Sequence, residues 1–412
     1  MIKLVSSNHG MPEIMRNNYW ILSLATLLIN CSSSSDDQPV NNTPPSISVT
    51  TTEFAEGDGS AFSADITFAL SAPSDATVDF FYEIEGQSAS VGEDLEATSG
   101  SVSFAPGETT KSVQVTLLPD DILEFDESFL VKVSNIVNAT MVNSEVVAKI
   151  IDNDSYDIEE IADGFVTPES YPSMELVWSD EFSGSDLNTD DWTQREGNGC
   201  PDLCGWGNGE LQLYSVDNTR IENGNLIITA ENPNGKTYTS SRLKTKEKQE
   251  FKYGRIDIRA KLPFGRGIWP ALWMLGSNID QVPWPECGEI DIMELVGHQP
   301  GTVHGTAHYD RDGHEFVGTG WPLSAPERYA DKFHVFSILW QEGEIEWYVD
   351  YNKFFSIKAK DVGFNYHFNQ PFYFIANIAV GGEWPGEPDA TTTFPQIMEV
   401  DYIRVFQTPG MD

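Results

Sequence analysis

From residue 46 onward the chain alternates apolar and polar residues in short runs. Residues 46–49, 64–68, 77–82, 112–117 and 129–133 each repeat with a period of two. That period turns the apolar side chains to one side of an extended chain, so it predicts strands and not helices. Gly57-Asp58-Gly59 and Pro106-Gly107-Glu108 punctuate these runs as turns. Short strands at this spacing, over roughly 100 residues, predict a β-sandwich for 45–154. The pattern resumes at 224–230, 253–260 and 345–350. Long amphipathic helices are absent; 325–332 reads at most as one short helical turn. Residues 173–408 are thus expected to form a second, larger two-sheet sandwich, which makes the chain all-β.

The N-terminus has a different pattern. Met15-Arg16-Asn17-Asn18-Tyr19 precedes an apolar run, 20–29, that is too short to span a bilayer. A basic start, a short apolar core and a small-residue exit read as a secretory signal over 1–30, with Met15 as an alternative start. Cys31 directly after the core resembles the lipidated first residue of bacterial lipoproteins. Ser32-Ser33-Ser34-Ser35-Asp36-Asp37 behind it is similar to the export tether of Bacteroidetes surface lipoproteins, and 31–44 reads as flexible. The resemblance implies a cell-envelope protein on the outer-membrane surface, held by its lipid.

Composition narrows the partners. Lys and Arg number 24 against 64 Asp and Glu, a formal net charge of −40. So acidic a surface repels phosphate backbones, which excludes nucleic acid as a partner. Ten of the eleven Trp fall in 173–408, whereas 45–154 holds 20 acidic and 3 basic residues, so the two halves are separate domains. Residues 155–172, with their acidic stretch and Pro168 and Pro172, read as a linker. Nothing in the sequence calls for an oligomer.

In the first domain Glu56, Asp94, Asp120, Asp121, Glu124, Glu127, Asp152 and Asp154 cluster at expected strand ends. Like charges gathered in a fold repel unless hard cations lie between them, and calcium takes six to eight such oxygens. A solvated acidic face is the alternative. Glu56-Gly57-Asp58-Gly59, Gly92-Glu93-Asp94, residues 104–108, residues 120–129 and Ile150-Ile151-Asp152-Asn153-Asp154 together resemble a Calx-beta domain. That resemblance implies an Ig-like sandwich with structural calcium held by these acids at one end.

The second domain carries Gly288-Glu289-Ile290-Asp291-Ile292-Met293-Glu294-Leu295. On a strand Glu289 and Asp291 share a face, while Ile290 and Ile292 take the other. Glu294 would fall on the wrong face unless one extra residue bulges near Ile292-Met293. Three acids then line one patch, with two glutamates able to approach the roughly 5 Å separation of a retaining glycosidase. Upstream, Trp269 and Trp273 also share a face, where indoles can stack on sugar rings or pack into a core. His304 and His308 could aim at a zinc ion, but no Cys completes such a site. Cys200 and Cys204 flank three residues and could pair after export. Cys287 reads as a buried free thiol.

Trp269-Pro270-Ala271-Leu272-Trp273-Met274 followed by residues 288–294 resembles the signature of glycoside hydrolase family sixteen. Residues 178–182, 223–226, 253–255 and 401–405 extend the likeness across 173–408. The resemblance implies a concanavalin-like β-jelly-roll, retention of configuration and no cofactor for the chemistry. It makes Glu289 the nucleophile, Glu294 the acid/base and Asp291 the assisting acid. It puts substrate on Asn208, Glu210, Arg255, Trp269, Trp273, His308 and Trp384. It also puts a second calcium on Glu181, the Gly224 backbone oxygen and Asp401. Residues 205–212 and 304–309 look like the laminarinase branch, whose substrate is β-1,3-glucan. A galactan hydrolase of the same fold, agarase- or carrageenase-like, and a non-catalytic carbohydrate-binding surface protein are the alternatives.

Overall fold

The computed structural model describes residues 43–154, 158–172, 174–363 and 366–410. The signal 1–30, Cys31 and all but the last two residues of the tether lie outside that range. Among the described residues no helix is long and apolar enough to cross a membrane.

Alternation builds the first sandwich. In Val78–Gly86 the side chains of Val78, Phe80, Tyr82 and Ile84 are buried while Asp79, Glu83 and Glu85 face water. Its sheets hold Ile47–Val49, Phe62–Leu70 and Thr110–Leu117 on one side. On the other side lie Glu53–Ala55, Glu145–Ile151, Glu127–Val137, Val78–Gly86 and Ser99–Phe104. A closed apolar core from Ile47 to Ile150 lies between them. Glu53–Ala55, Ser99–Phe104 and Glu145–Ile151 were not among the expected strands; two of the three are edge strands, where alternation is weakly enforced.

The second domain stacks a seven-stranded sheet on an eight-stranded one. The seven-stranded sheet runs Thr193–Arg195, Arg242–Lys244, Phe372–Val380, Ile268–Gly276, Glu289–Glu294, Thr302–Asp310 and His314–Pro322. In its middle strands Leu272, Met274, Ile290, Ile292, Ala376 and Ile378 point into the shared core. Residues 325–332 contain only turns and bends, and the one α-helical turn among the described residues is Ala359–Val362.

Residues 158–172 are not a loose linker. Glu159–Ile161 and Gly164–Val166 form a hairpin that lies on the outer face of the eight-stranded sheet. Phe165 and Tyr171 are buried there. Arg259 Nε donates to the Phe165 carbonyl at 2.6 Å and the Tyr171 hydroxyl to Asp257 Oδ2 at 2.5 Å. The prolines and acids of this segment describe its exposed side; its two aromatic anchors decide its place.

A hydrogen bond passes between the two sheets to the acidic strand. Trp347 is fully buried, and its Nε1 donates to the Asp291 carbonyl at 2.9 Å. Gly305, on the neighbouring strand, admits the indole: a Cβ there would stand 2.6 Å from Trp347 Cδ1. Trp347→Phe removes that hydrogen bond from the core, which costs about 2 kcal/mol. Calorimetry should show Tm lower by about 5 °C, and amide exchange should quicken in Glu289–Glu294 ahead of the rest of the sheet.

Candidate active site

The strand Glu289–Glu294 is bulged where its face pattern requires. Against Thr302–Asp310, Asp291 pairs with Thr306 and Glu294 with His304, so three steps on one strand meet two on the other. Against Ile268–Gly276, Leu272 pairs with Met293 and Trp273 with Asp291. The extra residue therefore falls at Ile292-Met293, both of which are in the core. Glu289, Asp291 and Glu294 emerge together on the opposite face, beside Trp269, Trp273, Asn208, Glu210, Asn377 and Ala379.

Indole donors hold both outer acids. Trp269 Nε1 donates to Glu294 Oε1 at 2.9 Å, and Trp284 Nε1 to Glu289 Oε2 at 3.0 Å. His308 Nε2 stands 3.2 Å from Asp291 Oδ2 and 3.8 Å from Glu289 Oε1. Trp273 Nε1 donates to Asn377 Oδ1 at 2.8 Å, and the Arg242 guanidinium lies 4.8 Å from the ring centres of both Trp273 and Trp206. Trp384 meets Trp269 edge-on at 5.6 Å and His304 at 5.0 Å, and stays 43% exposed, free to meet a ligand. Glu210 accepts from Asn208, Gln212 and the Tyr214 hydroxyl.

Burial dominates the electrostatics. It pushes the carboxyls of Glu289, Asp291 and Glu294 each up to about 8, and the charge of Asp291 adds to the rise at both glutamates. Such a trio shares protons at neutral pH. Two neighbours, His308 and Arg242, favour ionisation of Glu289. For Glu294 the opposing influences are His308 and the Trp269 hydrogen bond.

Of the seven expected contact residues, Asn208, Glu210, Trp269 and Trp273 line the cavity at the trio, while His308 and Trp384 border it. Arg255 does not. It belongs to the eight-stranded sheet, buried on its outer face, with Nε 2.9 Å from Asp257 Oδ1 and its guanidinium over Tyr171. Trp284, Arg242 and Asn377 were missed. Trp284 precedes the acidic motif by only five residues, and Asn377 is the lone polar residue in the apolar strand Phe372–Val380.

The expected metal residues divide. Glu56, Asp152 and Asp154 converge, as do Asp94, Glu124 and Glu127, each trio with ligand atoms within 4.8 Å of one another. Asp120 joins the first through its backbone N–H, which donates to Glu56 Oε1, whereas Asp121 is exposed outside both. Both carboxylates of the expected second calcium set are ion-paired. Glu181 is held in a two-pronged pair by Arg404, and Asp401 by Arg259 at 2.6 Å, so guanidinium groups occupy both carboxylates. Cys200 and Cys204 form a disulfide, and Cys287 is a buried free thiol.

Comparison with known proteins agrees with this geometry. Residues 209–404 match the family model described as glycosyl hydrolases family 16, and residues 41–154 match that of the Calx-beta domain. Glucan endo-1,3-beta-glucosidase A1 of Niallia circulans is 38% identical over 299 residues, 66% of this chain; the match spans only 43% of that longer protein. A beta-glucanase of Rhodothermus marinus is 43% identical over 256 residues, 57% of this chain and 86% of the relative. The laminarinase catalytic domain from Thermotoga maritima superposes with a TM-score of 0.54 at 46% identity, covering 57% of this chain and 98% of that one.

The raised carboxyls have a stability consequence. Between the ordinary carboxylate range and about 8, the folded protein binds more protons here than the unfolded chain, so stability falls as pH rises through that window. Asp291→Asn removes one such group. It should raise Tm by about 3 °C at pH 8 and leave it nearly unchanged at pH 4, read by calorimetry at the two pH values.

Proposed function

The chain belongs to glycosyl hydrolases family 16, and from that premise we propose that it is a retaining endo-β-1,3-glucanase acting on laminarin-type glucans. The observation that carries the reading is the bulge, which sets Glu289 and Glu294 on one face with Asp291 between them. The printed names of the Niallia circulans and Thermotoga maritima relatives support the choice of β-1,3-glucan as substrate. Glu289 attacks the anomeric carbon while Glu294 passes its proton to the leaving oxygen. Glu294, now ionised, takes a proton from the water that opens the glycosyl ester. His308 and Arg242 favour the charge on Glu289, and in this reading Glu294, buried beside Asp291, begins protonated. Asp291 lies beside both and exchanges a proton or hydrogen bond with them as charge moves. This chemistry needs no cofactor; the rings of Trp269, Trp273 and Trp384 supply stacking faces for successive sugars.

Calcium belongs to the first domain in this reading. The two carboxylate trios offer hard oxygen ligands of the kind that calcium takes. Asp154 Oδ2 has no accessible surface and no hydrogen-bond partner, which a bound cation would supply. The signal-like N-terminus supports an outer-membrane surface lipoprotein anchored through Cys31. Cys31→Ala should move the protein from the membrane fraction to the soluble one; wild-type protein already soluble, with an N-terminus upstream of Cys31, would remove the anchor.

Glu289→Ser and Glu294→Ser should each lower kcat on laminarin at least 1,000-fold, on the order expected for loss of a group central to the chemistry, with the fold intact by circular dichroism. Glu289→Ser should regain condensation, not hydrolysis, with an α-glycosyl fluoride donor. Proton NMR of the first products should show the β-anomer. The α-anomer first would overturn the assignment of Glu289, and faster release of sugar from agarose or carrageenan than from laminarin would overturn the substrate.

A further inference from the structure

The loop between Thr110–Leu117 and Glu127–Val137 carries two kinds of side chain in one short stretch. Glu124, with Glu127 at the start of the next strand, belongs to one carboxylate trio, and the Asp120 backbone N–H donates to Glu56 of the other. Leu123 and Phe125, set among them, turn the other way. Leu123 is only 8% exposed, and it clusters with Leu339 and Tyr348 from the outer face of the eight-stranded sheet. Phe125 and Met174 pack against the same three residues. This cluster is separate from the cores of both sandwiches.

The acidic side of the loop is tied to the same seam. The Glu124 N–H donates to Asp152 Oδ2 at 3.0 Å, and Gly57 N–H to Asn153 Oδ1. Asp152, Asn153 and Asp154 line a cavity of about 170 Å³ whose far wall is Tyr348, Asp350 and Lys353 of the second domain. Seating Leu123 therefore requires Glu124 to lie beside Asp94 and Glu127, and Asp120 beside Glu56. Six buried or half-buried carboxylates meet in that arrangement, each trio with its ligand atoms within 4.8 Å of one another. With nothing between them the acids oppose the conformation that the apolar contact needs. A cation removes the opposition, so loading and docking become a single equilibrium.

We propose that calcium held by Glu56, Asp152 and Asp154 and by Asp94, Glu124 and Glu127 latches the first sandwich onto the outer sheet of the second, through Leu123 and Phe125. The latch rests on the calcium reading given above and adds a consequence to it: the ion sets the distance and orientation between the tethered domain and the cleft-bearing one, without touching the cleft.

The test uses the full chain, titrated with calcium chloride after chelator treatment. Calorimetric titration reads binding, small-angle X-ray scattering reads the maximum dimension, and scanning calorimetry reads the melt. Calcium should bind, shorten the maximum dimension, and turn a two-step melt into one step, with the first step raised by about 5 °C. Leu123→Asp keeps every carboxylate; it should still bind calcium yet remain extended and melt in two steps. Phe125→Ser should do the same in milder form, which guards against a folding defect in the first variant. Glu127→Gln with Asp154→Asn should lose binding and compaction together. Binding without compaction in the wild type would overturn the latch and leave the calcium reading standing. Absence of binding would overturn both. A chain equally compact in chelator, in calcium and in Leu123→Asp would show that the domains dock without the ion, and would also overturn the latch.

Discussion

The geometry of the cleft hangs on one backbone carbonyl. A regular strand cannot present Glu289, Asp291 and Glu294 on one face, because the spacing of two and then three breaks the period of the pleat. The bulge at Ile292-Met293 restores the face but disrupts the ladder next to Asp291. Trp347, reaching across from the other sheet, satisfies the Asp291 carbonyl and fills the space that Gly305 leaves open. The acidic strand is thereby positioned from behind by the core, while its open face stays free for a ligand.

That open face is tuned by exclusion of water more than by pairing. Three acids on one strand, with His308 the basic side chain beside them, are raised together by burial. Groups one layer out act against that rise. Arg242, stacked between Trp206 and Trp273, biases Glu289, and the Trp269 indole steadies Glu294. Stability is given up at neutral and alkaline pH to hold this arrangement, the usual relation between buried titratable groups and function.

The outer face of the eight-stranded sheet meets a different demand. It carries Arg255, Asp257, Ser337, Glu346 and Tyr348, all buried, where an uncovered sheet would present them to water. The strap 158–172 and the loop around Leu123 cover it, and the covered polar groups bond one another: Ser337 to Asp257, Tyr171 to Asp257, Lys353 to Glu346. Cleft and inter-domain seam thus lie on opposite faces of the same two-sheet body.

Local periodicity suffices to make the chain all-β and to place a bulge at Ile292-Met293, and tryptophan and charge content separate its two domains. Face parity is a property of neighbouring residues, so spacing alone reveals it. The same reasoning put Trp269 and Trp273 on one face, and the tertiary structure decided that it is the face of the acids. It could not say which sheet Arg255 would join, because a charged residue inside a strand reads alike whether it faces a cleft or a covering strap. Nor could it see that Glu181 and Asp401 would be taken by Arg404 and Arg259, partners distant in sequence for the first pair and the second alike. Residues 158–172 were legible as acidic and proline-bearing, but the sockets for Phe165 and Tyr171 exist only once strands far along the chain have assembled. Burial by remote segments decides which polar residues are structural and which are left to meet a ligand, and only the tertiary structure carries that information.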